Sequence, residues 1–296
     1  MTINYEYYQI FYYVAESKSF TAAASQLYLS QSTVSRAIQN LEKDLGCTLF
    51  LRSRQGVCLT EEGTYLFNHV KKAFSFISHA EHHLHDVSKL HEGFLRIGAT
   101  ELTLQHFLLP YLESFEKEYP NIHINLSFQY PKKVCEQLDS GLLDIAFLTT
   151  PFDIAPSILK QELVEFSEIL IGGTKYWRLA RNPADFHNLK DESFIAMEEG
   201  TSASTFFHQI CIENKVEIIP KYQVCSTPLV VSMVERNFGI GFVPDVYAEE
   251  KLKSGDLFEI SLRNPPKKRQ ICALTSKMFP YHSVRDVFLS KFIISG

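Results

Sequence analysis

The sequence predicts an α/β protein in three parts, which are a small helical domain, one long helix and a larger two-lobed domain. Three observations carry this prediction. Two short amphipathic helical segments precede two short extended runs within the first 60 residues. A regular apolar repeat covers residues 66–87, and from residue 94 onward strand-like and helix-like segments alternate. With 296 residues, the chain is long enough for at least one further domain after the first.

The helical domain is predicted from apolar spacing. One short face is formed by Ala23, Ala24 and Leu27, and a second repeats at steps of three to four residues through Val34, Ile38, Leu41 and Leu45. Residues 28–30 give a tight connection between them, in which the Ser30 side chain can cap the second helix. This pattern is typical of a helix-turn-helix.

Polar side chains occupy the other face of the second helix. They are Gln31, Ser32, Thr33, Ser35, Arg36, Gln39 and Lys43. Short hydrogen-bonding groups and an arginine suit base edges and phosphates in a DNA major groove. The pattern therefore predicts a helix that binds DNA, with an ordinary helical hairpin as the alternative.

Two extended runs, 48–52 and 57–60, flank residues 53–56 and predict a hairpin wing behind this helix. Arg52 and Arg54 lie near its tip, where they can reach phosphates or a minor groove. The wing favours a winged helix-turn-helix that binds DNA over an ordinary helical hairpin.

Residues 5–63 resemble the DNA-binding part of the LysR-type transcriptional regulators. The family pattern falls on Phe11, Ala15, Ser19, Phe20, Ala23, Ala24, Leu27, Ser30, Gln31, Ser32, Val34, Ser35, Ile38, Leu41, Glu42, Leu45, Gly46, Leu49, Phe50, Arg52, Leu59, Thr60 and Gly63. Ser32 departs from the usual pattern, because the family often has proline there, and the first helix is unusually rich in tyrosine. The resemblance implies a regulator that reads double-stranded operator DNA with an interrupted dyad.

Composition narrows the class of protein further. The chain is 45% hydrophobic and 21% charged, as is typical of a soluble protein with a well-formed core. The first 20 residues have no basic start followed by an apolar core, and no stretch reaches membrane-spanning length. We therefore expect a cytoplasmic protein without a membrane partner. The six cysteines are far apart in sequence, so reduced and mostly packed thiols are expected.

The net charge of −5 is unusual for a protein that binds nucleic acid. Residues 1–90 carry eight basic and eight acidic side chains, so this part of the chain is neutral. The local balance is more favourable, because Arg36, Lys43, Arg52 and Arg54 are opposed there only by Glu42 and Asp44. Such a small basic patch implies that two subunits must share one DNA site.

A long helix is predicted after Thr60, which can cap it, with Glu61 and Glu62 in its first turn. Its apolar positions alternate steps of four and three, at Leu66, Val70, Ala73, Ile77, Ala80, Leu84 and Val87. This 3.5-residue repeat predicts a seam that faces a partner helix in a homodimer or homotetramer. The alternative is a helix packed wholly against its own chain.

The same helix is rich in histidine, with His69, His79, His82, His83 and His85, and with His91 just beyond it. His79 and His83 are four residues apart and could share a metal, and a pH-sensitive dimer contact is a further alternative. Because the cluster lacks a closed ligand set, we expect a solvated polar face and no metal site.

From residue 93 onward the sequence predicts alternating strands and helices around a parallel sheet. Strands are predicted at 95–99, 122–128, 143–148, 168–171, 194–197, 222–225, 239–244, 257–262 and 270–275, and helices at 104–119, 132–140, about 202–213, about 228–236 and after the last strand. The motifs 143–146 and 239–244 resemble the regulatory half of LysR-type proteins, which is similar in fold to two-lobed periplasmic binding proteins with two crossovers.

These patterns suggest domain limits. A winged helix-turn-helix is expected over residues 1–60, a linker helix and hinge over 61–92, and an effector-binding domain over 93–296. The first lobe of that domain is expected at about 93–164 and 267–296, and the second at about 165–266.

A small-molecule effector is expected in the cleft between the lobes, where strand ends meet helix starts. Candidate effector-binding residues are Thr100, Glu101, Thr103, Thr149, Thr150, Thr201, Ser202 and Ser204. Amides and hydroxyls at the helix start after Gly200 suit a carboxylate or a phosphate, with simple N-capping as the alternative. Glu101 suits an amine instead, so a carboxylate or an amino-acid-like metabolite is expected. Phe128, Phe206 and Phe207 could add aromatic walls, although core packing is the more ordinary role.

Other functional classes fit less well. A transport binding protein would need a signal peptide and would have no use for residues 1–90. No catalytic triad, metal motif or phosphate-binding glycine loop points to an enzyme or to a cofactor. A regulator of the same architecture that senses redox state through Cys211 or Cys225 is the alternative function, although no basic residue flanks either cysteine.

Overall fold

The computed structural model describes the backbone of residues 4–53, 56–86, 93–280 and 283–293, and the side chains of these residues except 52, 53, 56, 78–80, 82–86 and 293. Contacts between Cα atoms divide the chain into two compact units, Met1–Glu81 and His82–Gly296.

The first unit begins with three helices, α1 (Tyr5–Ser17), α2 (Phe20–Gln26) and α3 (Gln31–Leu45). The N-terminus of each helix is capped by a side chain that accepts a backbone N–H of the first turn. The capping residues are Asn4, Ser19 and Ser30 respectively. The cap predicted for Ser30 is confirmed, because its Oγ accepts the N–H of Thr33 at 3.1 Å. Gly46 ends α3 in the left-handed conformation, with φ of 71°.

A two-stranded antiparallel hairpin follows, formed by β1 (Phe50–Ser53) and β2 (Gly56–Leu59), with Phe50 opposite Leu59. It is the predicted wing, shifted by one or two residues. Arg54 lies outside the described residues, as does the side chain of Arg52.

Helix α4 (Glu61–Asp86) shares a hydrophobic core with α1, α2 and α3. The Tyr12 ring on α1 lies 5.8 Å from that of Phe67 and 5.3 Å from that of Phe74, both on α4. Tyr5 contacts Phe74 as well, with ring centroids 5.2 Å apart. The tyrosine-rich face of α1 is therefore explained by packing against α4.

The predicted apolar seam of α4 divides into two parts. Leu66 and Val70 pack in the core of the first unit. For these two residues, the alternative to an intersubunit seam, namely packing against the same chain, is confirmed. Ala73 and Ile77 are exposed, the latter by 38%. The side chains of Ala80 and Leu84, and the whole of Val87, lie outside the described residues.

The second unit contains strands and helices in the order β3 (Gly93–Ala99), α5 (Glu101–Thr103), a π-helix (Leu104–Leu108), α6 (Leu109–Glu118), β4 (Ile122–Phe128), α7 (Pro131–Asp139), β5 (Ile145–Thr149), β6 (Ile158–Phe166), β7 (Glu168–Gly173), β8 (Ile195–Met197), α8 (Ser202–Glu213), β9 (Tyr222–Val224), α9 (Thr227–Glu235), β10 (Ile240–Pro244), α10 (Glu249–Ser254), β11 (Leu257–Glu259), β12 (Arg269–Ser276) and α11 (Ser283–Ile293). Short 3₁₀ turns lie at Thr174–Tyr176, Leu179–Arg181, Phe186–Leu189 and Asp245–Tyr247.

Two lobes make up this unit. The first is built on a five-stranded sheet of order β4-β3-β5-β12-β6, and the second on the sheets β10-β7-β11 and β8-β9. The chain passes between the lobes twice, once between β6 and β7 and once between β11 and β12.

The prediction of a parallel sheet is wrong for much of this unit. β3 runs parallel to β4 and β5, but β12 is antiparallel to both β5 and β6. In the second lobe, β7 is antiparallel to β10 and β11, while β8 and β9 are parallel. Strands that enter a lobe after a crossing run in the opposite direction, which periodicity does not reveal.

Two local differences also have physical reasons. Strand β6 was not predicted, because it lies at the sheet edge and most of its side chains are exposed. The predicted helix 104–119 is interrupted by the π-helix, which ends just before Pro110. Proline has no backbone N–H to donate, so a regular α-helical bond is lost at that point.

Asp144, in the motif 143–146, joins two strands of the first lobe. Its carboxylate accepts the backbone N–H of Arg96 at 2.7 Å and a guanidinium N–H of Arg96 at 2.6 Å. The Asp144 amide donates in return to the Arg96 carbonyl at 2.9 Å. The start of β5 is therefore fixed beside β3, from which the chain continues to Thr100.

Among the described residues, none of the helices combines the length and the apolar character that crossing a membrane requires.

We expect Gly63→Ala to destabilise the first unit by about 1–3 kcal/mol, although alanine normally stabilises a helix relative to glycine by roughly 0.5–1 kcal/mol. A Cβ at Gly63 would lie 2.1 Å from the carbonyl oxygen of Leu49, which precedes the wing. Hydrogen–deuterium exchange should become faster in peptides from α1–α3 and stay unchanged in the five-stranded sheet.

Asn68→Ala is the matched control, because Asn68 is exposed on the same helix. It should change stability by less than about 0.5 kcal/mol. Unchanged protection of α1–α3 against exchange in Gly63→Ala would show that the contact between residue 63 and the Leu49 carbonyl does not limit stability.

Candidate functional site

The exposed face of α3 contains most of the residues predicted to bind DNA. Gln31, Ser32, Thr33, Arg36 and Gln39 are exposed, and Ser35 is half-buried. The hydroxyls of Ser32 and Thr33 lie 2.7 and 2.8 Å from the Ser30 Oγ, so both belong to the capping network. Gln31, Arg36 and Gln39 are the long polar side chains that this face leaves toward solvent.

Glu42 has a structural role that the sequence analysis missed. Its Oε1 accepts the backbone N–H of Leu49 at 2.7 Å and that of Phe50 at 3.3 Å. In a simple count of charges, Glu42 reduces the net positive charge of the basic patch on α3. In the structure it ties the last turns of α3 to the first residues of the wing.

Helix α1 contributes to the same surface. The Tyr7 hydroxyl accepts a hydrogen bond from Asn40 Nδ2 at 3.2 Å, and both residues line a groove together with Glu6, Thr33 and Arg36. No local motif indicates this contact, because 33 residues separate its partners.

A cavity of about 460 Å³ lies between the two lobes of the second unit. In the first lobe it is lined by residues that follow β3, β4 and β5, and in the second by the starts of α8 and α9. The lining consists of Thr100, Glu101, Leu102, Phe128, Gln129, Tyr130, Pro131, Thr149, Glu168, Met197, Glu198, Thr201, Ser202, Ala203, Cys225, Ser226, Thr227, Phe242, Pro244 and Arg269.

Five of the eight predicted effector-binding residues line this cavity, namely Thr100, Glu101, Thr149, Thr201 and Ser202. The other three lie outside its lining. The Thr103 hydroxyl is buried and donates to the Phe147 carbonyl at 3.0 Å. The Thr150 Oγ1 accepts the backbone N–H of Gln270 at 2.9 Å, and Ser204 is buried in α8.

The start of α8 offers an unused hydroxyl. Thr201 caps the helix, because its Oγ1 accepts the N–H of Ser204 at 3.1 Å and donates to the Glu198 carbonyl at 2.9 Å. The neighbouring Ser202 is only 5% exposed, and its Oγ has no hydrogen-bond partner among the residues that the structure describes. A buried hydroxyl without a partner is unfavourable, so a ligand that bonded to it would gain affinity.

A buried ion pair closes one side of the cavity. The guanidinium of Arg269 donates to the Glu168 carboxylate, to Thr149 Oγ1 at 3.1 Å and to the Thr150 carbonyl at 2.5 Å. It also lies 5.1 Å from the centre of the Phe206 ring. Burial raises the pKa of the Glu168 carboxyl, and the adjacent guanidinium opposes part of that rise. The sequence analysis missed this pair.

Two further carboxylates form hydrogen bonds between the lobes. Glu101 Oε2 accepts the backbone N–H of Thr227 at 3.2 Å, and Glu198 accepts the hydroxyl of Tyr130. The bond to Glu198 raises the pKa of the Tyr130 phenol, so Tyr130 remains the donor at neutral pH.

The remaining lining is largely apolar and includes Leu102, Phe128, Met197 and Phe242. Phe128 is therefore a wall of the cavity. Phe206 and Phe207 are buried in the core of the second lobe instead, as their ordinary role suggested.

The cysteines differ in their surroundings. Cys211 is buried, and burial raises the pKa of its thiol to about 11. At that value little thiolate is present at neutral pH, which makes Cys211 a poor target for peroxide. Cys225 is exposed and lines the cavity.

Metal ligands are not grouped in the part of the chain that the structure describes, where no three His, Cys, Asp or Glu residues are placed to hold an ion. His69 is exposed on α4, and its Nδ1 lies 2.8 Å from the Tyr65 carbonyl. The side chains of His79, His82, His83 and His85, and the whole of His91, lie outside the described residues.

Comparison with known proteins gives relatives along most of the chain. The transcriptional activator IlvY of Haemophilus influenzae is 27% identical over 277 residues, which cover 91% of this chain and 92% of that protein. The transcriptional activator CmpR of Synechocystis is 26% identical over 239 residues, covering 80% and 77%.

Solved structures show the same fold. A full-length OxyR variant from Pseudomonas aeruginosa superposes with a TM-score of 0.71 at 19% identity, covering 99% of this chain and 95% of that one. Full-length CbnR in complex with its target DNA gives 0.69 at 17% identity, covering 99% and 100%.

Two family models match the chain and together cover most of it. Residues 5–64 match the bacterial regulatory helix-turn-helix protein of the lysR family, and residues 88–285 match the LysR substrate binding domain. The fold, the winged helix-turn-helix and the cavity between two lobes agree with both matches. The chain therefore belongs to the LysR family, and it is a DNA-binding transcriptional regulator with an effector-binding domain rather than an enzyme.

Proposed function

We propose that this regulator binds an operator with an interrupted dyad as a homodimer or homotetramer, and that a small carboxylate or amino-acid-like metabolite modulates this binding from the cavity between the lobes. Residues 1–60 then bind DNA, 61–92 link subunits, and 93–296 bind the effector. Such a regulator works where its operator is, so a cytoplasmic location is part of the proposal.

The α3 surface supports the DNA-reading part of this proposal. Arg36 is exposed there, and an arginine in a major groove can donate two hydrogen bonds to one guanine. Gln31 and Gln39 are exposed on the same helix. Arg52 and Arg54 are proposed as phosphate or minor-groove contacts on the grounds of their sequence positions alone, because Arg54 and the side chain of Arg52 lie outside the described residues. Ser32 and Thr33 can contact DNA only with hydroxyls that also bond to Ser30, the N-cap of α3.

We expect Arg36→Ala to lower the ratio of specific to non-specific DNA affinity by roughly 5- to 150-fold, which corresponds to about 1–3 kcal/mol for a lost base contact. The operator would first be selected from random-sequence duplexes with the wild-type protein. Fluorescence anisotropy at one fixed salt concentration would then compare that duplex with a scrambled one.

Lys43→Ala is the matched control, since it removes the same charge from the last turn of α3. It should weaken both duplexes to a similar degree. An Arg36→Ala protein that keeps the wild-type ratio would remove Arg36 from the base-reading face.

The exposed part of α4 supports the assembly. Leu66 and Val70 pack in the core of the first unit, and Ala73 and Ile77 continue the apolar repeat on the exposed side of the helix. An exposed isoleucine in such a repeat gains most by burial against a second helix. We therefore place the start of the intersubunit seam at Ala73.

Ile77→Asp should dissociate the oligomer and reduce operator affinity, because an unpaired carboxylate on a buried seam is strongly unfavourable. Analytical ultracentrifugation across a dilution series would measure the change. Asn68→Asp introduces the same charge on an exposed position of α4 outside the seam and should leave the mass unchanged. A wild-type mass for Ile77→Asp at every dilution would contradict the seam.

The Ser202 hydroxyl is the observation that carries the effector site. It is buried, it has no hydrogen-bond partner within the described part of the chain, and it lies at the start of a twelve-residue helix whose N-terminal amides favour an anion. Thr100 and Thr149 face the same cavity from the first lobe. An anionic group of the effector would satisfy the hydroxyl and the helix end together.

We expect Ser202→Ala to weaken binding of the effector by roughly 2- to 150-fold, which corresponds to about 0.5–3 kcal/mol for a hydrogen bond to a neutral or charged group. The free protein should keep its melting temperature or gain slightly, because no internal hydrogen bond is lost. A thermal-shift screen of small acids and amino acids on the full chain would supply the binder, and calorimetry would measure it.

Ser204→Ala is the control, because Ser204 lies on the same helix but outside the cavity lining. It should leave the binding constant unchanged. Equal affinities of wild type and Ser202→Ala for every binder would place the effector elsewhere.

The thiol-based alternative receives no support from Cys211, whose burial and raised pKa both oppose reaction with peroxide. The likeness to OxyR is at 19% identity and concerns the fold. Metabolite binding is therefore the function that the geometry favours.

A further inference from the structure

The charges that line the cavity do not balance. Its lining contains three carboxylates, Glu101, Glu168 and Glu198, and among the described lining residues Arg269 is the single basic side chain. Because Glu168 and Arg269 neutralise each other, Glu101 and Glu198 leave a formal charge of about −2. This excess is unexpected in a site whose ligand is only an acid.

Arg269 is unavailable to an acidic ligand. Its guanidinium already donates to Glu168, Thr149 and Thr150, and it packs between the rings of Phe166 and Phe206 at 5.2 and 5.1 Å from their centres. The residue is 3% exposed. A ligand carboxylate would have to break this buried ion pair to reach it, which would leave the buried Glu168 charge unpaired.

Among the described residues, the hydrogen-bond partners of Glu101 and Glu198 are neutral. The backbone N–H of Thr227 and the hydroxyl of Tyr130 each satisfy one oxygen lone pair, but neither supplies a positive charge. An ionised carboxylate has about four acceptor sites, so both groups retain the capacity to accept from a ligand cation. The two carboxylates belong to different lobes, and both face the same cavity.

Glu198 also lies beside the unused hydroxyl. The Thr201 Oγ1 donates to the Glu198 carbonyl at 2.9 Å, and Ser202 is the next residue. One short segment therefore presents a carboxylate and an anion-binding helix start with a buried donor that lacks a partner. A ligand with only a carboxylate would meet two negative groups, and a ligand with only an amine would leave the positive start of α8 without an anion.

We propose that the effector is amphoteric, with an ammonium group held by Glu198 and Glu101 and a carboxylate held at Ser202 and the start of α8. Its body is apolar and contacts Leu102, Phe128, Met197 and Phe242. An α-amino acid with an apolar side chain, or a close aminocarboxylate, has this chemistry. This inference rests on the proposed effector site and selects one of the two ligand classes that the site admits.

The ammonium group also gives the ligand a role between the lobes. Glu101 follows β3 in the first lobe, whereas Glu198 precedes α8 in the second. An ammonium group that donates to both carboxylates draws the two lobes toward each other. A plain acid at Ser202 contacts mainly the second lobe. A ligand that carries the ammonium group would therefore stabilise both lobes together, which a plain acid would not.

The test uses matched probes on the full-length protein. A thermal-shift screen would contain the common amino acids, the corresponding acids that lack the amine, and the corresponding amines that lack the carboxylate. Calorimetry would then measure the members of each hit series. We expect the amino acid to bind about 10- to 100-fold more tightly than either truncated analogue, as is typical when a desolvated charge pair loses one partner.

Glu198→Gln separates this inference from the proposed site. Glutamine keeps an oxygen that accepts from Tyr130 but removes the charge, so affinity for the amino acid should fall about tenfold or more, whereas affinity for the deaminated acid should stay the same or rise. Glu199→Gln is the control, because Glu199 is exposed and lies outside the cavity lining. It should change neither affinity.

The outcomes are distinct. A deaminated acid that binds wild type as tightly as its amino acid, and that loses affinity in Ser202→Ala, would overturn the amphoteric ligand and leave the proposed acid site intact. Tightest binding by the amines, insensitive to Ser202→Ala, would overturn both. Both would also be overturned if no member of the three sets binds at millimolar concentration. None of these outcomes would affect the DNA-binding measurements.

Discussion

The effector-binding unit depends on the buried ion pair between Arg269 and Glu168. Each residue begins a strand at a point where the chain passes between lobes, Glu168 at β7 and Arg269 at β12. Two ions removed from water are stable only when they are paired and fully hydrogen-bonded. Arg269 meets this condition by reaching Thr149 and Thr150 at the end of β5 as well. Both crossings and the end of a central strand are thereby held at one place, and that place forms a side of the cavity.

This constraint determines which chemistry the cavity can offer. The Arg269 side chain is held in the buried ion pair, so the cavity offers a ligand helix amides, hydroxyls and the two remaining carboxylates. Glu101 and Glu198 bond to donors in the opposite lobe, and Tyr247 of the second lobe donates a hydrogen bond to Gln105 of the first at 3.3 Å. The lobes therefore already share polar contacts around the cavity, and an effector modifies an existing set of bonds.

Local interactions were predictable from the sequence, and distant pairings were not. The apolar spacing of α3, its cap at Ser30 and the segment 202–213 all depend on residues a few positions apart, and they are found as expected. Thr100, Thr149, Thr201 and Ser202 line the cavity because strand ends and helix starts meet there. Arg269 and Glu168 are 101 residues apart, and Tyr130 and Glu198 are 68 apart, so no local pattern relates them. The run 267–269 reads as a charged surface, yet its last member is buried. Strand direction failed for a similar reason, because it follows from the path of the chain between lobes.

Glu42 has a consequence for the DNA sites that this regulator accepts. Its carboxylate bonds to the amides of Leu49 and Phe50, while Thr60 Oγ1 donates to the Thr48 carbonyl at 2.8 Å. The Thr60 bond ties the residues before β1 to the start of α4. Two polar contacts from Glu42 fix α3 to the wing, so α3 and the wing cannot slide independently along a duplex. Inserting one base pair between their contacts moves one target by about 3.4 Å, which is more than a hydrogen bond can stretch. If α3 and the wing contact DNA as proposed, the protein measures a fixed length of DNA within each half-site, and sequences with the correct bases at the wrong spacing are rejected.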